Sequence, residues 1–435
     1  MAMKIEIEEK QIEAPYELPE GWKWYRLGDF INIFRGVSYK KNDAHNEKQE
    51  NDCLIIRGGN IDEGCINLNS DNVFVNKSLV SENQIIKKND VIIVTSTGSI
   101  KVIGRAGVSA SDYEDVAFGA FLTLARPNEK ANKSFVNQYF QSSLYRERIR
   151  RLASGVNINN IRIEYITESP FPLPPTPDEQ QRIVNRIESM FAKLDEAKEK
   201  AQNVVDGFET RKAAILHKTF TNQLKIENGK LKDEDWEERK LGEICEVTSS
   251  KRVYQTEQTS SGIPFLRIAD IMCKIQNKDV FPELFISAER YKKLQSQNLV
   301  PKENEILVTS RGTLGKCYLI KKDDMFYFQD GMISWLKNID RNISSQYLIY
   351  LFQSKEITNQ IEEMQNGSTV NYLSISMLKK ISIPIPPFNF QLSIVNFLDS
   401  VLEKENKAKQ AAETVLEQID LLKKSILARA FRGEL

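Results

Sequence analysis

This chain of 435 residues has few of the side chains on which catalysis and metal binding usually depend. It contains two histidines, His45 and His217, and neither recurs at a matching place elsewhere in the chain. The five cysteines are scattered without a C-x-x-C pair, so the sequence offers no pattern for a zinc site or a disulfide framework. Phosphate-binding loops of the G-x-x-x-x-G-K-[ST] and G-x-G-x-x-G kinds are also missing. We therefore find no signature of a histidine-dependent triad or a nucleotide-binding enzyme.

Long apolar runs and an excess of one charge are missing as well. No stretch of 18 apolar residues occurs, and residues 1–20 are acidic rather than apolar, which predicts a cytoplasmic chain without a membrane span. The 60 basic and 60 acidic residues cancel. Any affinity for nucleic acid must therefore come from local placement of charge, since neutralisation of phosphates supplies most non-specific binding.

What the chain does contain is a second copy of itself. Trp22 with Leu27-Gly28-Asp29 returns as Trp236 with Leu241-Gly242-Glu243. Several further segments recur in the same order. They are Val94-Thr95-Ser96-Thr97-Gly98-Ser99 with Val308-Thr309-Ser310-Arg311-Gly312-Thr313, and Pro172-Leu173-Pro174-Pro175 with Pro384-Ile385-Pro386-Pro387. Such a repeat predicts two similar but non-identical structural units.

Each copy has the pattern of a β-rich globular part followed by a helical region, a proline-rich joint and one very long helix. Short β-branched runs such as 53–56 and 91–95 are separated by Asn, Asp and Gly clusters, which is typical of strands and turns. Residues 134–153 and 344–365 have helical spacing of apolar residues. The predicted segments are 1–20 (acidic), 21–177 (domain), 178–220 (helix), 221–235 (linker), 236–389 (domain) and 390–435 (helix).

The long helices carry alternating three- and four-residue spacings of apolar residues, the pattern of a coiled coil. Thr176, Pro177 and Glu179 supply a cap hydroxyl, a first-turn proline and a capping-box carboxylate for the first helix. The first seam is Ile183, Ile187, Met190, Leu194, Ala197, Ala201, Val204, Phe208, Arg211 and Ile215. The second, in the same order, is Ile394, Leu398, Val401, Glu405, Ala408, Ala412, Val415, Ile419, Leu422 and Ile426. We predict an α+β fold in which these two helices pair with each other in antiparallel orientation.

The repeated polar loop after a strand is the best candidate for a binding site. Hydroxyls and glycine amides bind phosphate oxygens, and Arg or Lys can donate to guanine edges. The alternative is a hairpin turn whose hydroxyls satisfy its own backbone. Turns that follow other strands carry further basic residues and could equally be solvated turns, and the Gly155 and Gly367 loops could simply end helices. The candidate contact residues are Lys40, Lys41, Arg57, Thr95, Ser96, Thr97, Ser99, Lys101, Arg105, Lys251, Arg252, Arg267, Thr309, Ser310, Arg311, Thr313 and Lys316.

The ensemble of motifs resembles the specificity subunits of type I restriction-modification systems. The resemblance rests on Leu18-Pro-Glu-Gly-Trp22, on the polar glycine loop, on the joint that leads into Glu179-Gln-Gln-Arg-Ile-Val184, and on the closing segment 426–435. It covers nearly the whole chain in both copies. It implies a non-catalytic DNA reader with two target-recognition domains, each for one half of a bipartite asymmetric site, and two antiparallel helices that fix the spacer.

The resemblance also implies partners and their cofactors. Two methyltransferase subunits, which use S-adenosylmethionine to methylate adenine, would dock on the helices, and restriction subunits that need ATP and Mg would join the full complex. No cofactor or metal is expected in this chain. Candidate partner-binding residues are Glu179, Arg182 and Arg186; the second joint reads Phe390-Gln-Leu-Ser-Ile-Val395 instead, a departure from the first.

Two other functions compete with this one. A tandem-repeat scaffold that binds two proteins and no DNA would suit the zero net charge, but the paired Arg- and Lys-bearing loops oppose it. A DNA-modifying enzyme in its own right is opposed by the missing methyltransferase and nuclease motifs.

Overall fold

The computed structural model describes residues 14–62, 64–69, 72–153, 160–221, 236–365 and 371–435. Two compact units make up the chain: unit 1 is Met1–Ala201 with Thr414–Leu435, and unit 2 is Gln202–Glu413. Each long helix therefore contributes residues to both units. The Gly155 and Gly367 loops, most of the linker and most of the acidic N-terminal segment lie outside the described residues.

The described residues of unit 1 form three sheets. The strands are β1 Lys23–Arg26, β2 Ile31–Arg35, β3 Ala44–His45, β4 Asp52–Ile56, β5 Gly64–Cys65, β6 Val73–Asn76, β7 Val91–Val94, β8 Ala106–Val108, β9 Val116–Phe118, β10 Leu122–Pro127 and β11 Pro170–Leu173. They form a five-stranded sheet in the order β2-β10-β7-β8-β5, a four-stranded sheet β3-β6-β4-β9, and the pair β1-β11. The predicted strands over 53–56 and 91–95 are confirmed, and the four residues of β7 are all buried.

Unit 2 repeats this plan with differences in detail. Its strands are β12 Glu237–Lys240, β13 Glu246–Ser249, β14 Gln258–Thr259, β15 Ile263–Leu266, β16 Phe285–Ile286, β17 Ile306–Thr309, β18 Cys317–Leu319, β19 Tyr327–Phe328, β20 Ile333–Lys337 and β21 Ser382–Ile385. The sheet orders are β13-β20-β17-β18, β14-β16-β15-β19 and β12-β21.

The helical regions are more divided than the sequence predicts. In unit 1 the helices before the joint are α1 Lys133–Gln141, α2 Ser143–Ala153 and α3 Ile163–Thr167. The expected single helix over 134–153 breaks because Ser142 adopts an extended conformation while its buried hydroxyl donates to the Tyr139 carbonyl at 2.6 Å. The shorter helices of unit 2 are α6 Leu241–Ile244, α7 Ile268–Ile275, α8 Ala288–Ser296, α9 Ser345–Leu351, α10 Lys355–Glu363 and α11 Ile375–Lys380.

The proline-rich joint is an extended strand that leads directly into a helix, as predicted. Strand β11 pairs with β1, and the next helix begins at Pro177. The Thr176 hydroxyl accepts a hydrogen bond from the Glu179 amide at 3.2 Å, which confirms the cap. A buried glutamine repeats in both joints: Gln180 accepts from the Asn132 amide and Gln391 from the Ser344 amide, each at 2.8 Å. Each glutamine thus ties the start of a long helix to the cap of α1 or α9.

The long helices are α4 Pro177–Asp206, α5 Phe208–Phe220 and α12 Phe388–Phe431. Gly207 separates α4 from α5, so the predicted first helix is interrupted once. The antiparallel orientation is confirmed within each unit. In unit 1, Lys423 lies 2.5 Å from Asp195 and Asp420 lies 3.5 Å from Lys198. In unit 2, Arg211 Nε donates to Glu405 at 2.8 Å, and the Lys409 ammonium lies 4.9 Å from the Phe208 ring centre.

The predicted seam of α12 is wrong in part. Ala408, Val415 and Leu422 are exposed, whereas the residues that follow each of them, Lys409, Leu416 and Lys423, are partly buried. An α-helix of 3.6 residues per turn lags a strict heptad by about 20° per repeat. From Ile394 to Leu422, four heptads on, the lag grows to about 80°, which approaches the roughly 100° between neighbouring residues. The buried stripe of α12 therefore moves to the next residue towards its C-terminus.

Each unit has a core that includes the end of a long helix. In unit 1, Leu427 and Phe431 of α12 are buried with the helix α1 and strand β11 side chains. In unit 2, Leu216 and Phe220 of α5 are buried with the side chains of α9 and β21. The ends of α5 and α12 are thus core elements of the units to which they belong.

Candidate DNA interface and helix docking surface

In unit 1 the polar loop begins where β7 ends. The Thr95 hydroxyl is buried and bonds the Phe121 carbonyl at 3.2 Å and the Thr123 hydroxyl at 3.1 Å. Thr97 accepts from the Ser99 amide at 3.3 Å. Ser99 is exposed, and the Ser96 and Thr97 side chains are partly exposed. The Thr95 hydroxyl is thus used within the fold, whereas Ser96, Thr97 and Ser99 lie at the surface of the loop.

The basic residues of this loop differ in their freedom. Lys101 has an exposed side chain, while its carbonyl accepts a hydrogen bond from Arg150 at 3.2 Å. Arg105 donates from Nη1 to the Ile61 carbonyl at 3.1 Å and is only partly exposed. The exposed side chain of Lys101 suits contact with a phosphate, whereas Arg105 also holds the turn at Ile61 in place.

The Arg57 turn lies beside the same loop. Arg57 donates its backbone amide to the Asn60 side chain at 2.7 Å, which shapes a tight turn after β4. A Cβ atom built on Gly58 would lie 3.9 Å from Val94, the last residue of β7. The turns after β4 and β7 therefore lie next to each other in the structure. The sequence alone contained no direct sign of this proximity.

In unit 2 the corresponding loop uses its hydroxyls internally. Thr309 donates to the Thr313 carbonyl at 2.5 Å, and the Ser310 hydroxyl lies 2.7 Å from that of Ser334. Both side chains are buried, with exposures of 0% and 2%. Because Thr95, Thr309 and Ser310 are buried and bonded within the fold, their hydroxyls are not positioned to contact DNA, contrary to the expectation from the sequence. Arg311, Thr313 and Lys316 are exposed.

Arg311 is held over an aromatic ring that the sequence analysis overlooked. Its guanidinium carbon lies 5.1 Å from the ring centre of Tyr372, and the two residues also form an isolated β-bridge. The face of the ring attracts the guanidinium charge, which limits the positions that the Arg311 side chain samples. Arg311 is thus restrained before any ligand arrives.

The sequence match between the two loops is off by one residue. The Ser310 amide donates to Met332 and the Thr95 amide to Phe121, so these two residues occupy equivalent places. The bridges Ser96 with Asn160 and Arg311 with Tyr372 agree with this register. Arg311 therefore corresponds to Ser96 and not, as the letters suggest, to Thr97. Since side chains alternate along an extended segment, a shift of one residue changes the face on which a side chain lies.

The remaining basic turns of unit 2 are partly engaged in ion pairs. Arg252 Nε lies 2.9 Å from Asp330 and Arg267 Nη2 lies 2.7 Å from Glu283, and both arginines are exposed. Arg267 repeats the Arg57 turn, since its amide donates to Asp270 at 2.8 Å. Lys251 is exposed and its backbone amide donates to the Tyr327 hydroxyl at 2.8 Å. To bind DNA, Arg252 and Arg267 would have to replace their ion pair with a carboxylate by a contact with a phosphate or a base.

Lys40 and Lys41 of unit 1 are also exposed, at the start of a short turn. The Lys40 amide donates to Asp43 at 2.9 Å, and in unit 2 the Tyr254 amide donates to Glu257 at 3.0 Å in the same way. By this pattern the counterpart of Lys40 is Tyr254, so the lysine pair and the Lys251-Arg252 pair are not equivalent positions.

Positive charge gathers beside the loop of unit 2. Burial lowers the pKa of the Lys212 ammonium, the Glu209 carboxylate raises it, and the Lys316 charge lowers it by a smaller amount. Lys212 and Lys316 are therefore close enough for their charges to interact.

The predicted docking residues lie at the start of α4. Glu179 bonds Arg182 at 2.7 and 2.8 Å, and this pairing lowers the pKa of the Glu179 carboxyl. Arg182 also donates to the Leu435 carbonyl at 2.7 Å, so the pair holds the end of the chain within unit 1. Arg186 is exposed. On α12, Val415, Leu421 and Leu422 expose 38%, 65% and 49% of their surface.

Among the residues that the structure describes, no group of three His, Cys, Asp or Glu side chains could hold a metal ion. None of the described helices combines the length and apolar character needed to cross a membrane.

Comparison with known proteins gives a consistent result. The family model of the type I restriction modification DNA specificity domain matches residues 19–205 and 233–418. The StySPI specificity subunit, a type I restriction enzyme subunit of Salmonella potsdam, is 29% identical over 96% of this chain and 90% of its own length. The EcoKI specificity subunit of Escherichia coli K12 is 28% identical over the same shares.

Solved structures share the fold. A chain from a study of complex assembly and conformational transition of the type I R-M system matches with a TM-score of 0.70 and 19% identity, over 97% of this chain and 100% of that chain. The HsdS subunit from Thermoanaerobacter tengcongensis matches with a TM-score of 0.62 and 19% identity, over 97% and 99%.

Proposed function

The chain belongs to the type I restriction-modification DNA specificity family, and on that basis we propose that each unit reads one half of a bipartite, asymmetric DNA site. It is a specificity subunit with two target-recognition domains, because the family domain matches twice, once in each copy. The two copies share a fold but differ in the residues that their loops expose. Two such domains suit two different half-sites.

One observation carries the residue-level proposal: in both units the turns that bear the basic residues follow strands and are held rigid by backbone bonds. Arg311 is exposed and its guanidinium lies over the Tyr372 ring, and an arginine in such a loop suits bidentate donation to a guanine edge in the major groove. Lys316 is an exposed charge of the same loop, which suits a phosphate. In unit 1 the proposed contacts are the exposed or partly exposed Lys40, Lys41, Arg57, Ser96, Thr97, Ser99, Lys101 and Arg105.

We further propose that the chain is the non-catalytic member of its complex. Two methyltransferase subunits would dock on the long helices, supply S-adenosylmethionine and flip the target adenine into their own active sites. Restriction subunits with ATP and Mg would complete the assembly in the cytoplasm. The exposed apolar residues of α12, Leu421 and Leu422, offer the kind of surface that a helix of a partner would cover. Arg186 lies exposed at the start of α4 and could join the same contact.

DNA reading is tested with the chain and its methyltransferase partner by gel shift and by sequencing of methylated sites. Arg311→Ala should cost about 1–3 kcal/mol on the cognate site and relax preference in one half-site. Lys316→Ala should weaken cognate and scrambled DNA alike and lower the salt slope by about one contact.

Arg341→Ala is the matched control. Arg341 is exposed and follows the last residue of β20. Because β20 is antiparallel to β17 and ends where β17 begins, Arg341 follows the end of the sheet opposite to the 309–316 loop. It should leave both quantities unchanged. If the parent, Arg311→Ala and Lys316→Ala each bind cognate and scrambled DNA with equal affinity, base reading by this loop is refuted. It is also refuted if none of the three proteins binds DNA. Assembly without any DNA binding would instead favour a protein-binding scaffold.

A further inference from the structure

An exposed aromatic ring stands at the tip of the β9–β10 turn in unit 1. Phe121 exposes 70% of its surface, more than any other large apolar side chain among the described residues of this unit. Leu79 and Ile100, the other such residues of the globular part, expose 44% and 42%. Leaving a phenylalanine in water forgoes a burial that is worth roughly 1.5–3 kcal/mol, so the position invites an explanation.

The ring is exposed but its backbone is fixed. The Phe121 carbonyl accepts bonds from the Thr95 amide at 3.1 Å, the Ser96 amide at 3.1 Å and the Thr95 hydroxyl at 3.2 Å. The Leu122 amide closes the turn on the Gly119 carbonyl at 2.9 Å. A Cβ atom on Gly36 would lie 2.1 Å from that carbonyl oxygen, so the approach of the neighbouring strand requires glycine. A group fixed in this way loses little freedom when it binds.

The surroundings of Phe121 are polar. Ser96, Thr97 and Ser99 belong to the loop that bonds its carbonyl. The Gly119 amide donates to the Ile56 carbonyl at 2.9 Å, which places the turn next to the strand that leads into Arg57. Among the described residues of these turns, Phe121 and Ile100 are the large apolar side chains that are exposed, and two such side chains do not make the extended apolar patch on which a protein partner would dock.

Base-pair edges match this mixed surface. In the major groove each base pair shows donors and acceptors, and the apolar group there is the C5-methyl of thymine. We propose that Phe121 contacts a thymine methyl group in the half-site read by unit 1, while the neighbouring polar residues bind adjacent edges and phosphates. This inference rests on the proposed DNA-reading function and adds a specificity residue to it.

The two units would then differ in chemistry. By the hydrogen-bond register, Met332 of unit 2 occupies the place of Phe121. Met332 is half-buried and packs on the cluster that contains Leu266 and Trp335. Methyl reading at this position is therefore a property of unit 1 alone.

Replacing thymine by uracil removes the methyl group and leaves the hydrogen-bonding edge unchanged, which gives a direct test. Each thymine of the unit 1 half-site, on both strands, is replaced in turn, and affinity is measured with the complex of parent or Phe121→Ala. The half relaxed by Arg311→Ala belongs to unit 2, so the other half is assigned to unit 1. At one position uracil should weaken the parent roughly fourfold, the loss expected for one methyl group.

The double comparison isolates the contact. Phe121→Ala should bind thymine DNA at least fourfold more weakly than the parent, and uracil at the same position should then change nothing further. Phe121→Leu, which keeps an apolar side chain, should retain part of the methyl effect. Leu79→Ala removes another exposed apolar side chain of this domain and should keep the full uracil effect. Because Phe121 is exposed, its variants should melt with the parent.

Several results would overturn the inference. It fails if the unit 1 half-site contains no thymine, or if no uracil substitution in it changes the affinity of the parent complex. It also fails if Phe121→Ala binds thymine DNA as tightly as the parent, or if uracil weakens the parent and Phe121→Ala equally. Loss of complex assembly in Phe121→Ala would point to a protein contact and also overturn it. A parent complex that does not distinguish cognate from scrambled DNA refutes the proposed function instead, so the two failures are separate.

Discussion

The C-terminal turn of α12 is predicted to be a major source of stability for unit 1. Phe431 is 1% exposed, and its ring centre lies 5.1 Å from that of Phe135 and 5.5 Å from that of Tyr139. The Tyr16 hydroxyl donates to its carbonyl at 2.8 Å. Phe431→Ala removes the ring and leaves the backbone bond, so the perturbation is a cavity in an aromatic cluster.

The expected loss follows from that geometry. Truncation of a fully buried phenylalanine costs about 3–5 kcal/mol through lost burial and an unfilled cavity. The two aromatic contacts place the value in the upper part of this range, since such pairs add about 0.5–1.5 kcal/mol to burial. For a unit of this size, each 1 kcal/mol lowers the melting temperature by about 2–4 °C, so a loss of about 4–5 kcal/mol should lower it by about 8–20 °C.

Calorimetry of the full chain provides the assay, with the fluorescence of Trp22 as a local probe, because its ring lies 6.4 Å from that of Phe135. Phe281→Ala, at a residue 83% exposed, is the control and should change stability by less than about 0.5 kcal/mol. Phe220→Ala should destabilise unit 2 instead, because Phe220 packs at 5.5 Å on Tyr347. A Phe431→Ala chain that melts within about 1 °C of the parent would refute the assignment of this residue to the core.

Two further predictions concern the surface of α12 and the pH response. Leu422→Glu should leave folding intact because the side chain is 49% exposed, but it should reduce the amount of methyltransferase subunit that co-purifies with the chain. Leu79→Glu is the control and should not reduce that amount. Equal recovery of the methyltransferase subunit with the two variants would refute docking at Leu422. Burial raises the pKa of Tyr16 from 10.0 to about 12, so the folded chain keeps this proton after the unfolded chain has lost it. Its contribution is full below pH 10 and is lost as the pH rises towards 12. Tyr16→Phe should make the free energy of unfolding less dependent on pH between pH 10 and 12. Urea titrations at several pH values measure this free energy, and the same pH dependence in parent and variant would contradict the prediction.

Features fixed by neighbouring residues could be predicted from the sequence. The Thr176 cap and the strand at 91–94 depend on local chemistry and on runs of β-branched residues. The whole-chain repeat gave the tandem plan and the antiparallel helices, because a duplicated seam needs a partner of the same length. The family resemblance then supplied the function, which no single motif could have indicated.

Features that depend on distant parts of the chain could not be predicted. Val415 fits a strict heptad, but the drift of a 3.6-residue helix puts Leu416 into the buried stripe. Arg311 was matched with Thr97 because the letters Thr-Ser-x-Gly align, whereas the hydrogen bonds match it with Ser96. The closeness of Gly58 to Val94 and the exposure of Phe121 follow from strand order, which a pattern of residues along one chain does not contain.

The ion pair between Arg211 and Glu405 bears on how a duplicated gene product stays a single working chain. In the repeat, Glu405 corresponds to Leu194 and Arg211 to Leu422, so the pair has no charged copy at the equivalent level. If two first halves were to associate with each other, Arg211 would face Leu194 twice, and two second halves would set Glu405 against Leu422. Either homotypic association would leave these partly buried charges without a counter-ion, which is unfavourable compared with the pair formed in this chain. At this level of the helix pair, the two halves are therefore complementary to each other, and each is less well matched to a copy of itself.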